Sequence, residues 1–418
     1  MSVVAAAEET RHLGASRWWV VVLLALGCII AYVDRVNLSF AIIDADFKHF
    51  FNISNTERGL VNSAFFWSYA ALQIPAGWIV DRYGSKYPLA ISFAVWSALT
   101  AFAAFTSAFA SLFAVRLLLG VGEAALQPAS MRWIRHNFDE RQRGFAIGVF
   151  MSGSKFGPAI GSVLAALLIQ AYGWRAMFVI LGAFALLWLL PWLYFVKDDR
   201  HTGSARHVAT GSEPKEPIGD LLKSPILLGV IIGTFAYMYF VYFCMTWMPA
   251  YLREARGLSL TSSGAYTTFS FAGMATMSII GGWLADRMIV AGRDPVAVRK
   301  GFTMAGFLLA STEVLSPMLS SLDWALVVSI FSLSGLGLAT ANYWALTQTL
   351  IPGSKIGRIV GIQNCAASVA GIVAPIITGW LVQKTGGYAA AMQMVLFFLG
   401  CGILAYGFLV RDKRSRAS

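Results

Sequence analysis

Ala31-Tyr32-Val33-Asp34-Arg35-Val36-Asn37-Leu38-Ser39-Phe40-Ala41 places an acid and a base side by side inside an apolar run that begins at Trp18. That run is long enough to cross a bilayer as a helix. A charged side chain at the bilayer centre costs ~2.5–3.5 kcal/mol on insertion scales, so Asp34 and Arg35 belong either at a helix end among the headgroups or against a protein interior or watery cavity. The second placement is the expected one, because ionisable residues at membrane depth mark ligand and proton pathways. Tyr32 and Arg35, three apart, share a helix face. Such a face suits a phenol and a guanidinium meeting one ligand.

Working outward, 57% hydrophobic and only 13% charged residues with a mean hydropathy of +0.66 put the 418-residue chain outside the range of water-soluble domains, in which about 25% charged is usual. The expected fold class is an all-α membrane protein of twelve transmembrane helices in two pseudo-symmetric six-helix bundles. The expected spans are 18–43, 57–80, 86–107, 109–134, 144–170, 175–196, 225–250, 262–286, 301–319, 324–350, 357–383 and 388–410. A cytoplasmic tail (1–17), a first bundle (18–196), a charged Ser, Gly and Pro-bearing linker (197–223), a second bundle (224–410) and a second tail (411–418) complete the organisation.

The net charge of +11 would suit a nucleic-acid binder, but the positions of the basic residues argue otherwise. With the N-terminus inside, 23 of the 32 Lys and Arg fall in cytoplasmic segments, six in outer loops, and three (Arg35, Arg116, Lys155) within spans. This is the positive-inside asymmetry, so the surplus sets orientation, with both termini cytoplasmic and no nucleic acid as partner. Cys28, Cys244, Cys365 and Cys401 all lie in apolar spans without metal-ligand spacing, which indicates neither a disulfide framework nor a metal site. No cleavable signal is expected, since the first apolar run is too long for a signal-peptide core. Asn52-Ile53-Ser54 is a glycosylation sequon of only three residues and carries little weight.

The fourth span supplies the second polar element. Arg116 and Glu123 lie seven apart, two helical turns and about 10 Å, so each is expected to meet a partner on another span. Asp34 and Arg35 are those partners. A structural brace between helices is the alternative. In span 5, Lys155 lies beside Ser152, Gly153 and Ser154, about eleven residues from the cytoplasmic end; it either snorkels to a surface or faces a cavity. Tyr69 and Gln73 share a face of span 2. The three deep positives against Asp34 and Glu123 leave one positive charge to attract a carboxylate. Loss of the Glu123 or Asp34 charge by protonation would free an arginine for that anion.

The halves repeat weakly. Gly77-Trp78-x-x-Asp81-Arg82 returns as Gly282-Trp283-x-x-Asp286-Arg287, 205 residues on, and Gly148, Gln170 and Gly173 return as Gly361, Gln383 and Gly386, 213 residues on. The Asp-Arg turns are expected to act as structural latches, their glycine allowing close helix approach. A duplicated six-span unit is the mark of a secondary transporter with its site between the halves. The second half offers Tyr237, Tyr239, Tyr242 and Trp247, then Asn342, Tyr343, Trp344 and Gln348, then Gln363, Asn364 and Ser368. Aromatic rings beside amides suit hydroxyl-rich ligands, though such rings are also packing and interface anchors. Glu313 is the lone deep acid of this half and is expected near the outer interface.

With its duplicated Asp-Arg loops, twelve spans and central linker, the chain resembles the major facilitator superfamily over nearly its whole length. Tyr32 to Ser39 with Arg116 to Glu123 resembles, within it, the anion:cation symporter family of bacterial galactonate, glucarate and hexuronate carriers. The resemblance implies proton-coupled uptake of an organic anion of the sugar-acid class (aldonate, aldarate or hexuronate) across the cell inner membrane by alternating access. It implies protonation at Asp34 and Glu123, with Arg116 beside them. Ligand contacts carry over to Tyr32, Arg35, Tyr69, Trp344 and Asn364, and Ser154, Lys155 and Asn342 join them. Where relatives have a span 5 glutamine, Ser154-Lys155 stands here, which favours a more anionic substrate. An aromatic or dicarboxylic acid such as phthalate or hydroxyphenylacetate is the alternative cargo. No phosphate loop, nucleophile motif or metal cluster is present in the sequence, so an enzyme is not expected, nor any cofactor. The chain is expected to work as a monomer in the bilayer.

Overall fold

The computed structural model describes residues 3–197, 224–350 and 353–410; residues 198–223 of the expected linker and the tail 411–418 lie outside them. Nine stretches among the described residues are long and apolar enough to cross a membrane. One of these, Gln142–Phe195, spans 54 residues, far more than the ~20 a single crossing needs. It is two helices joined at Gly173, whose φ of 81° is non-helical. Dividing it gives ten, and the more polar Asn55–Tyr83 and the short Pro295–Ala310 complete the twelve.

In chain order these are α1 (Val3–Ile43), α2 (Asn55–Tyr83), α3 (Lys86–Phe102), α4 (Phe109–Glu123, resumed as Leu126–Asn137), α5 (140–172) and α6 (174–195). The second six are α7 (Pro225–Thr246), α8 (Leu260–Val290), α9 (Pro295–Ala310), α10 (Leu322–Leu350), α11 (Gly353–Thr385) and α12 (Ala389–Phe408). Among the described residues there is no strand. The expected all-α, twelve-helix architecture is therefore what the chain adopts.

Helix ends follow local chemistry. Ser54 caps α2 through a reciprocal box with Glu57, satisfying two otherwise orphaned N–H groups. Asp294 caps α9 and is followed by Pro295, which loses nothing there because the first-turn N–H has no helical acceptor. Pro128 cannot donate to the Ala124 carbonyl, and α4 breaks at Ala124 and Ala125, directly after Glu123. The Gly122 carbonyl next to that break accepts the Ser92 hydroxyl from α3 instead.

Within the first half α1 lies along α5, and α2 along α4; in the second, α8 and α9 lie along α10. At the α1–α5 contact a Cβ on Gly157 would fall 2.4 Å from Tyr32 Cβ, so only glycine lets the two backbones come this close. The halves meet through α2 with α11 and α5 with α8, which are one contact and its image when the halves are exchanged. The repeat is also visible in the backbone: Gly173 and Gly386, matched in sequence, turn with φ of 81° and 72°. Asp81 and Asp286 each pair with an arginine of their own half, Arg132 at 3.4 Å and Arg299 at 2.9 Å. The expected close approach at Gly77 is not found, because nothing lies within 4 Å of a Cβ built there.

The halves are pinned at the end remote from the linker. Arg253 Nε donates to the Ile43 carbonyl (3.0 Å) and the Thr56 N–H donates to Gln383 Oε1 (2.9 Å). Glu254 of the second half receives Lys48 Nζ at 2.5 Å and Arg58 Nη1 at 3.1 Å from the first, with the Tyr388 hydroxyl donating from its own side at 2.6 Å. The hydrogen bonds seen between the halves lie at this linker-distal end or midway along the helices.

Candidate functional site

Arg35 is the hub. Its Nε and Nη2 donate to Glu123 Oε2 at 3.0 and 2.9 Å, joining α1 to the end of the first segment of α4. Around the guanidinium stand three rings, with its central carbon 4.4 Å from the centroid of Tyr32 and 4.8 Å from those of Phe65 and Tyr69. Aromatic faces attract a cation most strongly when it is desolvated, and Arg35 is only 7% exposed. Two rings come from α2, so three helices fix one side chain.

Beside it, Arg116 Nη1 donates to the Asp34 main-chain carbonyl at 3.1 Å and Asn37 Nδ2 donates to Asp34 Oδ1 at 3.2 Å. Asp34 and Glu123 are 1% and 0% exposed. Each carboxylate keeps one oxygen, Oδ2 and Oε1, without a hydrogen bond. Four charged groups thus share a buried interior in which no helix satisfies all of them, an arrangement sensitive to adding a proton or an anion.

Lys155 approaches from α5. Its Nζ donates to the Tyr237 hydroxyl of α7 at 3.4 Å, across the two halves. Tyr237 in turn shares a 2.7 Å hydrogen bond with Thr340 of α10 and packs at 4.6 Å on Tyr343, which leads to Trp344 at 5.3 Å. Lys155, Trp344 and Asn364 remain partly exposed. Tyr242 of α7, buried against Phe66 at 4.5 Å, also faces the Arg35 group. Its place in an aromatic run of α7 marked it as polar but not as a site residue.

The structure therefore brings Tyr32, Asp34, Arg35, Tyr69, Arg116 and Glu123 into one cluster, with Lys155 joined to the second half. Two other expected contacts are engaged elsewhere. Asn342 Nδ2 donates to the carbonyls of Gly281 (3.3 Å) and Leu338 (2.8 Å), clamping α10 to α8. Ser154 donates back to the Met151 carbonyl of its own helix at 2.7 Å. Among the described residues no group of His, Cys, Asp and Glu has the arrangement to hold a metal.

Residues 24–375 match the Major Facilitator Superfamily. The chain belongs to this superfamily. A D-galactonate transporter of Escherichia coli O6:H1 is 29% identical over 96% of each chain. A hexuronate transporter of Bacillus subtilis is 30% identical over 93% of this chain and 92% of its own, and a protein named as a probable sulfoacetate transporter of Cupriavidus necator is 30% identical over 96% and 94%. Among solved superfamily structures, a bacterial homologue of the human lysosomal transporter Spinster, inward-facing and unoccupied, superposes with a TM-score of 0.77 at 18% identity, covering 94% of this chain and 96% of that one. The expected kinship with the superfamily's galactonate and hexuronate carriers is borne out, and the chain is a multi-pass membrane protein.

Proposed function

We propose that the protein is a proton-coupled symporter that takes up an organic anion, of the sugar-acid class, by alternating access. The observation that carries this reading is the Arg35–Glu123 pair: a guanidinium caged by three rings and neutralised by a carboxylate that can itself be neutralised by a proton. A proton arriving at Glu123, or at Asp34 beside Arg116, removes the competing negative charge. Arg35 then offers its planar fork to the carboxylate of the cargo, a geometry suited to bidentate recognition. Lys155 adds a second positive point, and Tyr32, Tyr69, Tyr237, Trp344 and Asn364 supply rings and an amide for a hydroxylated chain. Loss of the proton restores the Arg35–Glu123 pair and expels the anion.

The distal pinning by Lys48, Arg58 and Glu254 gives this cycle its gate. If the positive-inside distribution sets the orientation, the linker side is cytoplasmic, the state described is closed to the outside, and the first and second six helices are the two moving units. The kinship with D-galactonate and hexuronate carriers supports a sugar acid. Kinship with a protein named for sulfoacetate, together with the extra charge of Lys155, supports a second reading, a compact anion with two acidic groups.

Transport into proteoliposomes under an imposed pH gradient tests the proposal. Galactonate or glucuronate should accumulate against its gradient and compete with each other; sulfoacetate or phthalate should compete poorly. Accumulation that ignores the pH gradient would refute proton coupling.

A further inference from the structure

The second half holds a buried carboxylate that this transport reading leaves unused. Glu313 lies in the 3-10 segment Ser311–Met318 that ends α9 and is 0% exposed. Its place along the chain is toward the linker-distal end, and its side chain turns into the half. Ser329 of α10 donates to Oε1 at 3.0 Å and Ser332 of α10 donates to Oε2. No basic side chain pairs with it among the described residues.

The other titratable groups facing Glu313 are Cys244 of α7 and Tyr251 just beyond α7. Of the helices packed against it, α12 has no acidic or basic residue, and on α10 the only charged residue is the exposed Asp323 of the first turn. Arg256 does not reach it. Its Nε donates to the Tyr251 hydroxyl at 2.7 Å, while its other nitrogens donate to the carbonyls of Leu319 (2.9 Å) and Ser316.

These groups form a continuous run. Glu313 Oε1 meets Ser329 Oγ, Ser329 Oγ meets Ser316 Oγ at 3.1 Å, and Ser316 Oγ meets the Tyr251 hydroxyl at 2.7 Å. Arg256, partly exposed at the linker-distal end, closes it. Each link is a hydroxyl, which both donates and accepts. An ionised carboxylate without water or a cation is costly to bury, whereas the neutral acid needs only hydrogen bonds of the kind found here.

We propose that Glu313 is a second proton-binding site, separate from the Arg35–Glu123 pair, its carboxyl group facing the linker-distal end through the hydroxyls of Ser329, Ser316 and Tyr251. On release, one proton leaves and one carboxylate charge appears, held by Ser329 and Ser332. Tyr251 begins the turn Tyr251–Ala255 that carries Arg253 and Glu254 to the other half, so the charge at Glu313 bears on the groups that pin the distal end.

Infrared difference spectra of the purified full chain, titrated over the pH range in which it stays folded, test this without any substrate. In an Asp34→Asn, Glu123→Gln background a protonated-carboxyl component should remain and titrate beside those of the exposed acids, and adding Glu313→Gln should remove that component. Ser332→Ala, which keeps the acid but removes a donor to its ionised form, should move the midpoint to higher pH. A titration in that background unchanged by Glu313→Gln, or a midpoint unmoved by Ser332→Ala, would each overturn the proposal. Because no transport is measured, the outcome is independent of what the protein carries.

Discussion

Arg35 gives two of its nitrogens to a single oxygen of Glu123, at 3.0 and 2.9 Å, and leaves Oε1 of the same carboxylate unbonded. A pair built this way is held by charge more than by a matched fork. The bidentate geometry is left for another carboxylate, and the spare oxygen is where a proton can be added without first breaking the contact.

Glu123→Gln should abolish accumulation driven by a pH gradient while leaving substrate exchange across the membrane. The amide keeps the volume and a hydrogen-bond acceptor for Arg35 but cannot cycle its charge. Parallel measurement of gradient-driven uptake and of counterflow in proteoliposomes separates the two, and equal loss of both would sink the coupling role.

Arg35→Lys should weaken substrate binding by about tenfold or more, ~1.4 kcal/mol or above, because a point charge cannot reproduce the fork. Arg35→Ala should in addition destabilise the fold, by ~3–5 kcal/mol, since it leaves a buried Glu123 without its partner. Thermal unfolding with and without substrate distinguishes these: Lys lowers mainly the ligand-induced shift, Ala lowers the baseline itself.

Lys155→Met should cost about tenfold in affinity for a doubly charged anion and less for a singly charged one, a difference of ~1.4 kcal/mol at most in the ratio. Calorimetric titration with a hexuronate and an aldarate reads that ratio. Tyr237→Phe, which removes the hydroxyl bridging Lys155 and Thr340, should move both affinities together.

Glu254 gives the distal gate a pH dependence. Partial burial works to raise its pKa, but the Arg58 charge and the hydrogen bonds from Lys48 and Tyr388 outweigh this and hold it below the ordinary carboxylate value. A depressed value in the closed state means that the carboxylate's contribution to closure is complete above about pH 4.3, the unperturbed value, and is lost as pH falls through the lowered one. Spin labels at His49→Cys and Lys384→Cys, in a background lacking the native cysteines, should therefore report one short distance at neutral pH. Glu254→Gln should lengthen it at neutral pH, and strong acid should lengthen it in the parent; an unchanged distance in the variant would remove Glu254 from the gate.

Gly157→Leu should cost ~1–3 kcal/mol or more through overpacking, because even its Cβ would fall 2.4 Å from Tyr32 Cβ. The displaced α1 should carry Tyr32 and Arg35 together away from Glu123 and from the Phe65 and Tyr69 rings, so lowered melting temperature and weakened substrate binding should appear together. Substitution at Gly144, where nothing lies within 4 Å, provides the control.

The class of the protein, its helix number and its ionic centre were legible in the chain because each is written locally. Apolar run lengths count helices, Tyr32 and Arg35 fall on one face by spacing, and charges too costly to expose to lipid identify themselves. Spacing also showed that Arg116 and Glu123 lie too far apart to pair, but it could not show the inequality of their partners: Glu123 takes the Arg35 side chain, whereas Arg116 reaches the main chain of Asp34. Asn342 and Ser154 looked equally available as polar residues in spans, yet the amide clamps α8 and the hydroxyl bonds its own helix.

From the sequence alone came the membrane, the duplication and the set of buried charges, since hydropathy and repeat spacing depend only on order along the chain. Only the tertiary structure decided which aromatic rings enclose Arg35, that Lys48, Arg58 and Glu254 pin the halves at one end, and that Glu313 faces inward onto serines. Those are relations between helices distant in sequence, and the rotation of each helix about its axis is set by packing against its neighbours.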